Sequence, residues 1–151
     1  MKPDELESDW LDLQQRSDCS FFMSWGWIGA WLDAVSIDLK PAVLKVWRED
    51  ELVGMGLFVP GHIQRRMLIR SRAMFLNEYP FDGRNMVIEY NGLLAARGYE
   101  QSVYSQVVNY LSLACKGYDE FYFGAIAYDY SCQYLSNSRS DRVACIVTEE
   151  S

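Results

Sequence analysis

Ala42-Val43-Leu44-Lys45-Val46-Trp47, then Arg48-Glu49-Asp50, then Glu51-Leu52-Val53-Gly54-Met55-Gly56-Leu57-Phe58-Val59 is the stretch that decides the fold. Two runs rich in Val, Leu and aromatic residues flank three charged residues, which reads as a β-hairpin. Gly54 and Gly56 interrupt the second run, where glycine marks a bulge or a close approach of another element. Beyond it, Pro60-Gly61 reads as a turn, His62 to Ser71 as a third strand and Ala73 to Leu76 as a short fourth. The hairpin therefore opens an antiparallel meander.

Helices precede it. Leu6, Trp10 and Leu13 fall on one side of a first helix over about Asp4 to Gln15. Ile28, Trp31, Leu32 and Val35 keep the i, i+3, i+4, i+7 spacing of a second helix face. That helix follows Ser20-Phe21-Phe22-Met23-Ser24-Trp25-Gly26-Trp27, with Ser20 or Ser24 as the capping oxygen. It ends before Pro41. So aromatic a helix is costly to leave in water, which predicts that it docks on the domain's own sheet or on another domain, as a core helix in preference to a ligand-binding aromatic box.

Downstream, Met86 to Tyr90 reads as a strand and Asn91-Gly92 as a turn. A long helix over about Tyr99 to Cys115 carries Val103, Val107, Tyr110, Leu111 and Ala114, and Lys116-Gly117 closes it. Glu120 to Ala127 and Val143 to Thr148 read as further strands. The order predicts a layered α/β (α+β) fold, a mixed, mostly antiparallel central sheet flanked by helices. The 151 residues fit one domain.

Composition narrows the function classes. Half the residues are hydrophobic and 15% are aromatic, which excludes a disordered chain. A net charge of −7 argues against nucleic acid as a partner, because that binding neutralises phosphates. No apolar run reaches the ~18 residues of a membrane span. Cys19, Cys115, Cys132 and Cys145 form no C-x-x-C pair and read as buried thiols, so a cytoplasmic location is expected. Arg65, Arg66, Arg70 and Arg72 crowd one expected strand, with Arg66, Arg70 and Arg72 on one face, a solvated face or an anion site. His62, the only histidine, is expected at a turn and exposed.

The wording resembles a known family. Phe21-Phe22-Met23-Ser24-Trp25, Trp31-Leu32, Leu52-Val53-Gly54-Met55-Gly56 and Ile88-Glu89-Tyr90-Asn91-Gly92-Leu93-Leu94 are similar, in that order, to segments of the bacterial CelD-like acetyltransferases associated with cellulose synthesis. The resemblance implies a GNAT-like fold related to the FemAB peptidyltransferases. It also implies a two-lobed acyltransferase of which this chain is the first lobe. The implied partner is a second GNAT lobe, in cis or in trans, with a homodimer as the other expected association.

An active lobe of that kind holds the coenzyme A pyrophosphate on unpaired N–H groups at a helix N-terminus, within a glycine-rich turn. Here the matching segment is Arg97-Gly98-Tyr99-Glu100-Gln101-Ser102. Arg97, Gly98 and Ser102 fit cofactor-binding positions. Glu100 stands where the first glycine belongs, and a carboxylate repels pyrophosphate. No cofactor is therefore expected in this lobe, and acetyl-CoA or another acyl-CoA only if it is catalytic. Glu89 and Tyr90 are the candidate catalytic pair, with Glu89, among Val87, Ile88 and Tyr90, either a partly buried base for an acceptor amine or a residue that faces solvent or pairs with an arginine such as Arg97. Glu78, Tyr79, Asp82 and Asn91 are the candidate substrate-binding residues. The expected function is a non-catalytic or acceptor-binding lobe. The alternatives are a self-contained GNAT N-acetyltransferase and an interaction module without catalysis.

Overall fold

A computed structural model describes residues 3–34, 41–66, 69–78 and 89–126. Helix α1 (Pro3–Gln15), a 3-10 turn (Phe21–Met23) and helix α2 (Trp25–Ala34) precede strands β1 (Ala42–Arg48), β2 (Glu51–Arg66) and β3 (Ile69–Leu76). Strand β4 (Leu94–Ala95), helix α3 (Glu100–Ala114) and strand β5 (Glu120–Tyr122) follow. The result is a mixed α/β domain with a mostly antiparallel open sheet, ordered β1-β2-β3-β5, with β4 also on β2. Only the β3–β5 pairing is parallel among the named strands. None of the described helices is long and apolar enough to cross a membrane.

The hairpin forms as read. Arg48 faces Glu51, and Glu49 takes the left-handed φ of 53° that the tight turn needs. Alternation along the strands assigns the layers. Gly54 faces α3, where an added Cβ would run into the methyls of Val103. Lys45, opposite Met55, points the other way and forms ion pairs with Asp9 and Glu5 of α1. Helices therefore cover both faces of the sheet.

Leu6, Trp10 and Leu13 are buried, and Trp10 Nε1 donates to Met23 O at 2.9 Å. Ile28 and Trp31 are buried on α2, and Leu32 packs at the rim of the core. Neither serine is seen capping α2 through its side chain. Gln14 Oε1 accepts the Trp25 N–H at 2.8 Å, while Ser20 Oγ donates to Tyr90 O at 3.0 Å. The cap comes from the neighbouring helix.

The Pro60-Gly61 turn does not exist. Strand β2 runs straight through it, with Pro60 opposite Met74 and His62 opposite Arg72. The backbone alternation explains the tolerance. Leu57 exchanges bonds on the β3 side, so the Pro60 nitrogen, three residues on, faces the β1 side. The described pairing of β1 with β2 stops at Ala42 and Phe58, so no described ladder bond asks Pro60 for a donor. The reversal falls between Arg66 and Ile69, and the expected third and fourth strands merge into β3. Arg70 and Arg72 thus lie on a different strand from Arg65 and Arg66.

On α3 the buried stripe is Val103, Tyr104, Val107, Val108 and Leu111, and Tyr110 and Ala114 face solvent. Gly98, not Gly117, is the left-handed glycine among the described residues. Strand β5 is shorter than expected, turning at Gly124-Ala125 before Ile126 bridges Asn91. Glu89 and Tyr90 form a turn rather than the end of a strand. The rest of that expected strand, Val35, Cys132, Cys145 and the expected strand Val143 to Thr148 lie outside the described residues.

Candidate functional site

The far edge of β2 is shared. Strand β3 pairs with it from Phe58 onward, and β4 pairs at Gly54 and Met55. Leu57 lies between, where neither strand supplies a partner. Asn77 fills the gap: its N–H donates to Leu57 O at 2.7 Å, and its Oδ1 accepts the Leu57 N–H at 2.9 Å. Its Nδ2 donates to Gly92 O at 2.8 Å and to Asn91 Oδ1 at 2.9 Å. Asn91 Nδ2 donates to Leu76 O at 2.7 Å, and the Asn91 N–H to Ala125 O at 3.0 Å. Both side chains are buried, and their amides replace the missing ladder bonds.

Backbone strain gathers here. Asn77, Tyr90 and Ala125 have φ of 48°, 53° and 51°, the left-handed region that costs a side-chain-bearing residue about 1 kcal/mol. Strain of this kind concentrates at functional sites.

Glu78, the residue after Asn77, is also buried. Its carboxylate lies on Gly124: a Cβ there would stand 2.6 Å from both carboxylate oxygens. Glu78 and Gly124 sit just past the carboxyl ends of the parallel strands β3 and β5, the end at which α/β sheets place ligands. Glu89 and Tyr90 are exposed beside this knot, so Glu89 does not have the partial burial expected of a base. Asn91 is part of the knot rather than a simple turn residue. The structure thus gathers Glu78, Tyr90 and Asn91 into one region, while Tyr79 and Asp82 lie outside the described residues.

A cavity of about 160 Å³ opens next to the knot. Met23, Leu93 and Ala95 give it apolar surface, and Tyr90, Tyr104 and Glu100 line it from the knot and α3. Cys19 lines it too, and burial, helped by the charge of Asp18, pushes its thiol pKa up.

The entry to α3 differs from a phosphate turn. Arg97 Nε donates to Asp18 Oδ1 at 2.6 Å and a terminal nitrogen to Ser17 O at 3.2 Å. Its backbone N–H is held by Arg16 O at 2.9 Å. Gly98 takes a φ of 81° in open space. Glu100 is the first helical residue, its carboxylate answering the positive end of the helix dipole. Ser102 is exposed and accepts a bond from Gln106 Nε2 at 3.1 Å. Arg97 is thus drawn to the α1 end and Ser102 to the helix flank.

Sequence reasoning missed Asn77, Gly124 and Tyr104. An asparagine ending the apolar run Ala73 to Leu76 was the available signal for the first. Among the described residues no three His, Cys, Asp or Glu side chains are grouped to hold a metal. Comparison with models of protein families, with curated proteins and with solved structures finds no match for this chain.

Proposed function

We propose that this chain is a GNAT-like acyltransferase lobe of the CelD-like type, one that shapes the acceptor side of a two-lobed enzyme and leaves the acyl-CoA to a second lobe. The observation that carries the reading is the entry to α3. Arg97 is held by Asp18 at 2.6 Å, and Glu100 puts a carboxylate in the first helical turn. An incoming pyrophosphate would have to break an ion pair and approach a like charge at this helix entry.

The buried carboxylate of Glu78, past the ends of the parallel strands, favours a second reading, a self-contained N-acetyltransferase with a carboxylate base. Titration calorimetry with acetyl-CoA separates the two. The first reading expects no binding tighter than about 100 μM, equivalent to roughly 5.5 kcal/mol. Tighter binding by the full chain would replace it with the second.

A further inference from the structure

The knot holds a chemically labile pair, Asn91 followed by Gly92. Asparagine is a thermolabile residue, most of all before glycine, where no side chain shields the next backbone nitrogen. In that reaction the Gly92 nitrogen gives up its proton to solvent and bonds to Asn91 Cγ. The Cγ–Nδ2 bond breaks, and Nδ2 takes up a proton and leaves as ammonia. Water then opens the succinimide ring at either carbonyl carbon, giving aspartate or isoaspartate. The chain and water are the only reactants.

In the closed knot each group that this step needs is held elsewhere. The Gly92 N–H donates to Asn91 Oδ1 at 2.8 Å, which keeps its proton and directs its nitrogen at the oxygen lone pairs, in the amide plane. Attack on Cγ has to come from above that plane. The leaving nitrogen, Nδ2, donates to Leu76 O at 2.7 Å, and Asn77 Nδ2 holds Oδ1 at 2.9 Å. Ala125 O pins the Asn91 N–H at 3.0 Å, and Asn77 Nδ2 pins Gly92 O at 2.8 Å. Asn91 is only 4% exposed, so water is kept from its carbonyl.

The same knot is built to open locally. Asn91 meets Ile126 in an isolated bridge rather than a ladder, and Asn77, Tyr90 and Ala125 around it carry left-handed strain. Glu89 and Tyr90 bring the chain to it from an exposed turn. Releasing these contacts unpairs none of the strands β1 to β5, so it costs less than global unfolding. Conversion would prevent reclosure. Aspartate has no Nδ2 for Leu76 O and sets a charged oxygen against that carbonyl in the interior. Isoaspartate lengthens the main chain by one carbon, which misplaces Gly92 against Asn77.

We propose that Asn91-Gly92 is a latent deamidation site, protected by the closed knot, exposed by its local opening, and locking the knot open once converted. The inference does not depend on acyl transfer, and an acetyl-CoA titration of either outcome leaves it standing.

The test follows position 91 of the full chain at mildly alkaline pH by peptide mapping and mass spectrometry. Conversion in the folded chain is expected to be at least about tenfold slower than in the same chain held in urea above its unfolding midpoint. Asn77→Ala, with native circular dichroism, should convert at least about tenfold faster than wild type without urea. Gly54→Ala, which is strained away from the knot, should stay within about threefold of wild type. The converted chain, separated by ion exchange, should unfold at a lower urea concentration than the unconverted one. A folded-chain rate closer to the urea rate would overturn the proposal, and that comparison holds even where Asn77→Ala does not fold. A folded Asn77→Ala variant converting at the wild-type rate would overturn it, as would a converted chain as stable as the unconverted one. Gly54→Ala converting as fast as Asn77→Ala would also overturn it, by placing the exposure in global unfolding.

Discussion

Asn77 and Asn91 meet amide to amide at 2.9 Å in the interior, where β3 and β4 part along the edge of β2. Between them they bond Leu57, Leu76 and Gly92, so two side chains do the work of a strand's backbone. Buried amides are stabilising only when their bonds are complete.

Asn77→Ala is therefore expected to destabilise by about 2–4 kcal/mol. It strands the Leu57 N–H and the Gly92 carbonyl and leaves alanine at a left-handed φ. Asn91→Ala should cost a similar amount, and the double variant less than the sum, because each single change already breaks the shared bond. Urea unfolding midpoints of the three variants check this. Additive losses would show that the amides act independently.

Gly54 is a contact position. Gly54→Ala should cost about 1–3 kcal/mol by driving a methyl into Val103, which is fully buried on α3. Val103→Ala in the same chain should recover part of that loss by opening the space. A Gly54→Ala variant as stable as wild type would mean that α3 sits further from β2.

Much of the fold was legible for one physical reason: apolar periodicity reports which face is buried. Leu6, Trp10 and Leu13, the β1–β2 hairpin and the close approach at Gly54 all follow from it. Pro60 was misread because its tolerance depends on where the neighbouring strand ends, which only the register of Phe58 with Ala42 reveals. The site was less legible. Asn91-Gly92 carries the local signal of a turn, while its role comes from Asn77, fourteen residues away. Glu89 sits beside apolar residues in the chain yet is exposed, and Glu78, in a polar stretch, is buried. Neighbours in space decided both.

Trp31 tests the α2 face. It is 2% exposed, and its indole N–H has no acceptor among the described residues. Trp31→Ala should cost about 3–5 kcal/mol through lost burial and the cavity left behind. Trp31→Phe should cost under about 1.5 kcal/mol, because it keeps most of the ring and removes a donor that is buried without a bond. Chemical denaturation of the pair checks the ordering. A midpoint unchanged by the alanine would show that the helix presents another face to the core.

Asp119 and Arg72 clasp β5 onto β3. The Arg72 N–H donates to Asp119 Oδ2 at 2.9 Å, the Asp119 N–H returns a bond to Arg72 O at 2.9 Å, and the guanidinium reaches both carboxylate oxygens at 3.4 Å. The backbone bond, and then the guanidinium, hold the Asp119 carboxyl below its ordinary value of 3.8. A carboxyl lowered in the folded state binds its proton more readily when unfolded. Its contribution is therefore complete above the ordinary value and is lost as the pH falls through the lower, folded one. Asp119→Asn should remove that part of the acid sensitivity. The stability curves of wild type and variant are thus expected to run parallel from pH 5 to 7 and to converge below about pH 4. The site is exposed, so the gap should be small and should shrink in high salt. Curves that stay parallel down to pH 2 would mean that the carboxylate charge contributes nothing to the clasp.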